Sequence, residues 1–229
     1  MAILGAGNGD DLPLCQLAER ASKVTLIDLD RRALAIARRA GWRRWRRIQL
    51  IEHDATGGTA DRVAAAASAP DPPKRFLVPE TPLPGAPYDL VIGDLLYSQL
   101  LYPALLDLGV DERRRAESLK RHGPDLTRGV VTRLHASAPL VVHLHDPLAW
   151  WRGHEQPVPL HSILRLAEHG DETAALAEVD RGNGPSESDP RLALADLGIA
   201  PVATALWRWP FAQGVDYLVC ATLAESRMA

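Results

Sequence analysis

The chain has 229 residues, of which 46% are hydrophobic, so its composition is that of a globular protein large enough for one α/β domain. A formal net charge of -3 disfavours nonspecific binding to nucleic acid, and no apolar run reaches the roughly 18–20 residues of a membrane span. The two cysteines, Cys15 and Cys220, provide no disulfide or metal framework, and with no recognisable signal peptide they predict a cytoplasmic protein.

The first predicted element is a short buried strand over residues 2–5 that runs directly into a glycine-rich turn. The sequence ILGAGNGDDL places glycines at alternate positions of this turn: Gly5, Gly7 and Gly9. Glycine adopts backbone conformations that other residues avoid, and it lets the backbone approach a ligand closely. Asp10 and Asp11 follow, and a helix is predicted over residues 12–21. The sequence therefore predicts a ligand-binding turn between a strand and a helix.

The next part of the chain predicts strands that alternate with helices. The predicted strands cover residues 23–30, 48–54, 88–94 and 140–146. The predicted helices between them cover residues 31–42, 59–69 and 95–137. The last helical segment is expected to break near Gly109 and again at Gly123 and Pro124. Strands separated by helices form parallel βαβ units, and apolar strands without alternation are buried on both faces.

Regularity weakens after residue 147, where a helix over residues 160–170 and a polar loop over residues 181–190 are predicted. Two final strands are predicted over residues 201–211 and 215–224. Because their connection is so short, they must form an antiparallel hairpin. We therefore predict an α/β fold, a three-layer Rossmann-like sandwich around a mostly parallel seven-stranded sheet with an antiparallel last strand.

The glycine turn and three acids share one position in the predicted sheet, directly after a parallel strand. The acids are Asp28, Asp54 and Asp94. Ligands of parallel α/β sheets bind beyond the carboxyl ends of the strands, so these residues predict one shared site. Asp10 stands where a dinucleotide-binding turn has its third glycine, and a carboxylate there would repel a pyrophosphate. A ligand with positive charge and no phosphate avoids this conflict.

Four segments resemble the motifs of class I S-adenosylmethionine-dependent methyltransferases. ILGAGNGDDL resembles the glycine motif of that family, and VTLIDLD resembles its acidic motif at the end of the second strand. IEHDATG resembles its adenine-contacting motif, and YDLVIGDLLY resembles the motif at the end of its fourth strand. The final hairpin resembles the reversed seventh strand of the family. The ammonium and sulfonium groups of S-adenosylmethionine also suit a site that disfavours phosphate.

The resemblance implies a single domain over residues 1–229 that binds S-adenosylmethionine through its first half, residues 1–100. The expected cofactor-binding residues are Gly5, Ala6, Gly7, Asn8, Gly9, Asp28, Leu29, Asp54, Ala55 and Asp94. Asp28 is expected to accept hydrogen bonds from the ribose hydroxyls, and Asp54 to accept one from the adenine amino group. Residues 147–200 match no motif and are predicted to form an insertion on the substrate side.

The implied reaction is methyl transfer from S-adenosylmethionine to a small-molecule acceptor. This is an in-line displacement at an activated carbon, so the protein must chiefly align two reactants and exclude water. A general base is needed only for a poorly acidic acceptor, and the candidates are Asp94, His143 and His145. No metal site is predicted, because histidines at a strand end are more often pocket residues than ligands.

Two departures from the family pattern bear on the substrate. The family usually has helices before the first strand that cover the active site, whereas here only Met1 and Ala2 precede it; either the chain is truncated, or another element or subunit provides the cover. Members that methylate amino groups of bases have an acid or amide, two prolines and an aromatic residue after the fourth strand. Leu95 and Leu96 stand at the two proline positions, so a nucleic-acid substrate is not expected.

Several alternatives stay open. RRAGWRRWRR, residues 38–47, interleaves arginines with tryptophans as some nucleic-acid sites do, but a helix carboxyl terminus also favours cations and is the preferred interpretation.

The alternative functions are aminopropyl transfer of the spermidine synthase type, nicotinamide-dependent oxidoreduction and a non-catalytic cofactor-binding subunit. Leu95 and Leu96 count against the first, since a polyamine site carries further acids there, and Asp10 counts against the second. A homo-oligomer also stays open.

Overall fold

A seven-stranded sheet forms the centre of the molecule. The computed structural model describes residues 1–10, 12–40, 46–67 and 75–226. Its strands are β1 (Ala2–Leu4), β2 (Val24–Asp28), β3 (Ile48–Glu52), β4 (Leu90–Asp94), β5 (Leu140–Trp151), β6 (Pro201–Ala212) and β7 (Val215–Glu225). They are arranged in the order β3-β2-β1-β4-β5-β7-β6. The first five strands are parallel, and β7 pairs antiparallel with β5 and β6, which confirms the predicted sheet.

Helices cover both faces of this sheet. Within the described residues they are α1 (Leu14–Arg20), α2 (Arg31–Ala40), α3 (Thr59–Ala66), α4 (Tyr102–Asp107), α5 (Glu112–His135), α6 (Leu160–Glu168), α7 (Glu172–Asp180) and α8 (Pro190–Asp196). Successive residues of a strand point to opposite faces. In β1, Ile3 packs in a core cluster with α1 and α2, whereas Leu4 packs in a cluster with α5 and α8. The three-layer sandwich is therefore confirmed.

The segment after β4 differs from the prediction at one point. The expected break near Gly109 is confirmed, because α4 ends before it and α5 begins after it. The expected break at Gly123 and Pro124 is wrong, because α5 continues through both residues. Packing accounts for the difference: a Cβ on Gly123 would lie 2.8 Å from the Cβ of Glu187, so the missing side chain lets α5 approach its neighbour.

Residues 147–200 pack on an extension of the sheet. β5 continues to Trp151 instead of ending at residue 146, because its second half pairs with β7. Leu148 of this extension forms an apolar cluster with residues that include Ile163 of α6 and Val179 of α7. The predicted helix near residue 160 is confirmed as α6, whereas α7 and α8 were not predicted. The assignment of this region to the substrate side stays a prediction.

Some predicted features lie outside the described residues, namely Asp11 and the part of RRAGWRRWRR that contains Trp42 and Trp45. Where the structure does describe the chain, no helix combines the length and the apolar character needed to cross a membrane.

Candidate functional site

The glycine turn after β1 has the conformation that its sequence predicted. Gly5 and Gly9 have φ angles of 82° and 73°, which other residues rarely adopt. A Cβ on Gly5 would lie 2.8 Å from the carbonyl oxygen of Asp94, and a Cβ on Gly9 would lie 2.7 Å from Leu14 Cδ1. A Cβ on Gly7 would meet no atom closer than 4.0 Å. Gly5 and Gly9 therefore allow close packing inside the protein, and Gly7 leaves space on the outer side of the turn.

Asp28, at the end of β2, holds the turn in place. One of its carboxylate oxygens accepts a 2.9 Å hydrogen bond from the Gly7 backbone N–H, and the other accepts one of 2.8 Å from Asp30. A carboxylate has about four acceptor positions, so Asp28 can still accept further hydrogen bonds. Asp30 accepts hydrogen bonds from the backbone N–H groups of Arg32 and Ala33, so it caps the N-terminus of α2.

A pocket lies at the carboxyl ends of the first four strands, as the sequence predicted. This strand-end pocket has a volume of about 120 Å³. Its lining includes the predicted residues Gly5, Asp28, Leu29, Asp54 and Ala55. The rest of its lining is Leu4, His53, Thr56, Leu96, Gln99 and Leu100. Of the residues that the structure describes, two carboxylates and no lysine or arginine line this space.

The other predicted cofactor residues lie outside that lining. Ala6 is buried, and the exposed Asn8 donates a 2.7 Å hydrogen bond to Asp10. Asp10 itself belongs to the turn, because α1 begins only at Leu14. The helix predicted from residue 12 therefore begins two residues later, and the Asp10 carboxylate lies in the glycine turn itself.

Asp54 stabilises the loop that follows β3. Its carboxylate accepts hydrogen bonds from the backbone N–H and the hydroxyl of Thr56, at 2.7 and 2.9 Å, and another from the Gly58 N–H. Gly57 and Gly58 both have positive φ angles, which shape this turn before α3. A contact between Asp54 and an adenine amino group stays a prediction, since the carboxylate already accepts several hydrogen bonds within its own loop.

Arg133 is a structural residue of the site that the sequence did not indicate. It is 3% exposed on α5, and its guanidinium donates hydrogen bonds to the carbonyls of Thr81 and Ala55, at 2.9 and 2.7 Å. It also donates to His53 Nε2 at 2.8 Å. Burial and the charge of Arg133 lower the pKa of His53, which keeps that ring a neutral acceptor. A buried cation thus anchors the loop that lines the strand-end pocket.

The end of β4 carries an unusual backbone conformation. Leu95 has a φ of 47°, which is rare for a residue with a bulky side chain. Its N–H donates a 3.1 Å hydrogen bond to the Leu144 carbonyl, so the parallel pairing of β4 and β5 holds it there. Asp94, directly before it, is 4% exposed and lies beneath the glycine turn. Such backbone strain is more common at functional sites than elsewhere.

His143 lies in the core, within a chain of hydrogen bonds. Tyr97 Oη and His143 Nδ1 form one bond, and His143 Nε2 lies 3.1 Å from His135 Nε2. His135 Nδ1 lies 2.9 Å from Ser226 Oγ, which donates to the Ala138 carbonyl. Since Ser226 donates onward, one consistent arrangement has the tyrosine donating to His143, His143 to His135 and His135 to Ser226.

Burial lowers the pKa of His143 to about 3 and that of His135 to about 4, so both rings are neutral near pH 7. Because both ring nitrogens of His143 are occupied in this chain and its exposure is 0%, the structure does not bring it to the strand-end pocket. A role for His143 as a base stays a prediction that its position disfavours.

His145 lines a different pocket. This acidic pocket, of about 280 Å³, lies between the middle of β5 and the segment around α8. Burial lowers the pKa of His145 to about 4, and the nearby Asp189 carboxylate opposes that shift. Among the described residues, no group of three or more histidine, cysteine, aspartate or glutamate side chains is arranged to hold a metal ion.

The strand order, with its reversed final hairpin, is that of the class I S-adenosylmethionine-dependent methyltransferase fold. No family model and no curated protein matches the chain. It is similar to the N-methyltransferase NodS from Bradyrhizobium japonicum WM9, solved with S-adenosyl-L-homocysteine, at 12% identity and a TM-score of 0.45, over 99% of this chain and 77% of that one.

Two further solved structures are similar to the chain. A protein from work on the conversion of a disulfide bond into a thioacetal group in echinomycin biosynthesis has 16% identity and a TM-score of 0.48, over 98% and 75% of the two chains. TrmK of M. capricolum, solved with S-adenosyl-homocysteine, has 10% identity and a TM-score of 0.38, over 99% and 61%. The class of fold follows from the strand order itself.

Proposed function

We propose that the protein transfers the methyl group of S-adenosylmethionine to a small-molecule acceptor. The observation that carries this proposal is the chemistry of the strand-end pocket. Asp28 and Asp54 face it, His53 is neutral, and its described lining contains no lysine or arginine. Such a lining suits a cofactor with positive charge and no phosphate, and it is unfavourable for the pyrophosphate of a dinucleotide.

The residues of the pocket suit the parts of this cofactor. Asp28 offers acceptor positions for ribose hydroxyls, and the space beside Gly7 accommodates the amino-acid part. Ala55 and its loop, anchored by Arg133, form the adenine side. The bound cofactor supplies a methyl carbon that its sulfonium makes electrophilic, so the protein chiefly needs to align the acceptor with that carbon and exclude water.

Asp94 and His145 remain the candidates for proton transfer, because Asp94 is the last residue of β4 and His145 lies just after the part of β5 that pairs with β4. Asp94 lies next to the glycine turn, and His145 lines a separate pocket farther along the same side of the sheet. An acceptor that is already nucleophilic would need neither residue.

Calorimetric titration with S-adenosylhomocysteine tests this proposal. We expect micromolar binding to the unaltered protein and none of NAD. Asp28→Asn should weaken binding about 10- to 100-fold, because it removes a charged acceptor of the ribose hydroxyls. Asp30→Asn is the matched control, since Asp30 caps α2 on the same loop, and it should bind normally.

Two results would count against methyl transfer, and a third would count against the role of Asp28. Preference for methylthioadenosine over S-adenosylhomocysteine would indicate aminopropyl transfer, and preference for NAD would indicate oxidoreduction. Equal losses in the Asp28 and Asp30 variants would remove the assigned role of Asp28.

A further inference from the structure

The acidic pocket has an excess of negative charge. Among the described residues of its lining there are three carboxylates and a single cationic side chain, that of Arg191. The guanidinium of Arg191 forms ion pairs with two of those carboxylates. Its Nη2 lies 2.6 Å from Asp189 Oδ2 and 2.9 Å from Asp180 Oδ1. Burial alone would raise the pKa of Asp189, but hydrogen bonds and charge from Arg191 outweigh it and lower the pKa. Asp189 is therefore an ionised, structural partner of Arg191.

Asp146 is the third carboxylate of the acidic pocket, and it does not take part in the ion pairs of Arg191. It lies in the same lining, at the end of the parallel part of β5, and accepts a 3.3 Å hydrogen bond from the Ser98 hydroxyl. Throughout the described parts of the chain, no lysine or arginine forms an ion pair with it. Burial raises the pKa of Asp146, as expected for a carboxylate without a cation. A positively charged ligand would supply the missing partner.

His145 provides an independent sign of a ligand. The side chain is 2% exposed, yet neither ring nitrogen has a hydrogen bond of normal geometry within the described residues. Asp189 Oδ1 is 3.4 Å from Nε2, and the Cys220 backbone slightly raises the pKa of the ring. Neither contact is a hydrogen bond of normal geometry. Buried polar atoms are normally hydrogen-bonded, so an unsatisfied imidazole in a pocket wall indicates that a polar group belongs there.

An apolar pocket of about 200 Å³ adjoins the acidic one. Its walls include Leu101, Leu119 and Leu126, and Pro185 and Ser188 line both pockets. Ser98, which binds Asp146, lines the apolar pocket. Leu100 lines both the apolar pocket and the strand-end pocket. The three pockets therefore lie side by side along the carboxyl edge of the sheet.

We propose that the acidic pocket binds the ammonium group of a small amine whose apolar part occupies the apolar pocket. The ammonium donates hydrogen bonds to the Asp146 carboxylate and to the unprotonated ring nitrogen of His145. A role for this amine as the substrate of methyl transfer rests on the proposed function. Binding of the amine to the acidic pocket does not depend on that function. The methyl-accepting atom of the amine is not specified by this assignment.

Calorimetric titration with 2-phenylethylamine and with its neutral analogue 2-phenylethanol tests the assignment. We expect the amine to bind at least tenfold more tightly than the alcohol. Asp146→Asn, which keeps the size of the side chain, should weaken amine binding about tenfold and leave alcohol binding unchanged. Asp196→Asn removes the same charge from an exposed position outside the pocket and is the matched control.

Equal binding of amine and alcohol, equal effects of the two variants, or no amine binding at millimolar concentration would each overturn the proposal. If Asp146→Asn does not fold, ¹⁵N spectra of the histidine rings in the unaltered protein decide instead. The amine must then shift the His145 resonance, and an unchanged resonance would overturn the proposal.

S-adenosylhomocysteine is titrated into the same preparations. If S-adenosylhomocysteine binds and the amine does not, only the assignment of the acidic pocket is contradicted. If the amine binds and S-adenosylhomocysteine does not, the proposed methyl transfer is contradicted.

Discussion

Arg133 shows how one buried side chain connects the core to the strand-end pocket. Its N–H groups bind carbonyls and an imidazole from two separate loops, and no carboxylate shares a salt bridge with it among the described residues. Removing it would leave these acceptors buried without donors, at a cost of about 1–3 kcal/mol for each group that water cannot reach.

Arg133→Met keeps most of the side-chain volume and removes every donor. We expect it to lower the free energy of unfolding by about 2–4 kcal/mol and to weaken S-adenosylhomocysteine binding, because the loop with Ala55 loses its anchor. Arg128→Met on the same helix removes a half-exposed arginine and should cost less than about 1 kcal/mol. Urea unfolding measures both, and similar costs for the two variants would refute an anchoring role.

The sequence could not identify Arg133, because an arginine in a polar helix is normally a surface residue. His143 illustrates the opposite case. Its place at the end of β5 predicted a pocket residue, but His135 of α5 and Tyr97 bind both of its ring nitrogens. The positions of Gly5 and Asp28 at strand ends were easier to predict, because each follows directly from a strand's own sequence, whereas their cofactor contacts stay predictions.

At the scale of elements, α5 departs most from its sequence pattern. Gly123 and Pro124 predict a break, yet the helix continues because its glycines lie against neighbouring segments. A Cβ on Gly129 would lie 2.4 Å from the Cβ of Val78. Local propensity therefore fails where tertiary packing requires a small residue.

Gly129→Ala tests this explanation. Alanine favours a helix over glycine by about 1 kcal/mol, but the clash with Val78 should outweigh this gain. We expect a net loss of about 1–3 kcal/mol in the free energy of unfolding, measured with urea. In a Val78→Gly background, which also removes the Cβ at position 78, the same substitution should cost less, and an undiminished cost would show that this contact does not constrain the helix.

At the scale of the whole molecule, the sheet was predictable because each strand carries its own signal. β2 and β4 are apolar runs that end in an acid, and the short connection between β6 and β7 forces an antiparallel hairpin. The length of β5 and the packing of α7 and α8 were not predictable, since they depend on contacts between distant parts of the chain.

The buried histidines make stability depend on pH. The folded pKa values of His143 and His145, about 3 and about 4, lie below the unfolded value of about 6.5. The unfolded chain therefore binds more protons in this range, so stability is present above pH 6.5 and is lost as the pH falls towards the folded values. Each histidine contributes at most about 1.4 kcal/mol per pH unit.

We expect the free energy of unfolding to fall by roughly 1–3 kcal/mol between pH 6.5 and pH 5.5. His145→Gln should reduce this slope, whereas the same change at the exposed His161 should preserve it. Urea unfolding at several pH values measures the slopes, and a flat profile would contradict the neutral, buried state of these rings.

A crystal structure of the protein with S-adenosylhomocysteine would show whether the strand-end pocket binds the adenosine part of S-adenosylmethionine. We expect ribose hydroxyls within hydrogen-bond distance of the Asp28 carboxylate and the adenine beside Ala55. A ligand bound elsewhere on the protein, or a ribose directed away from Asp28, would contradict it.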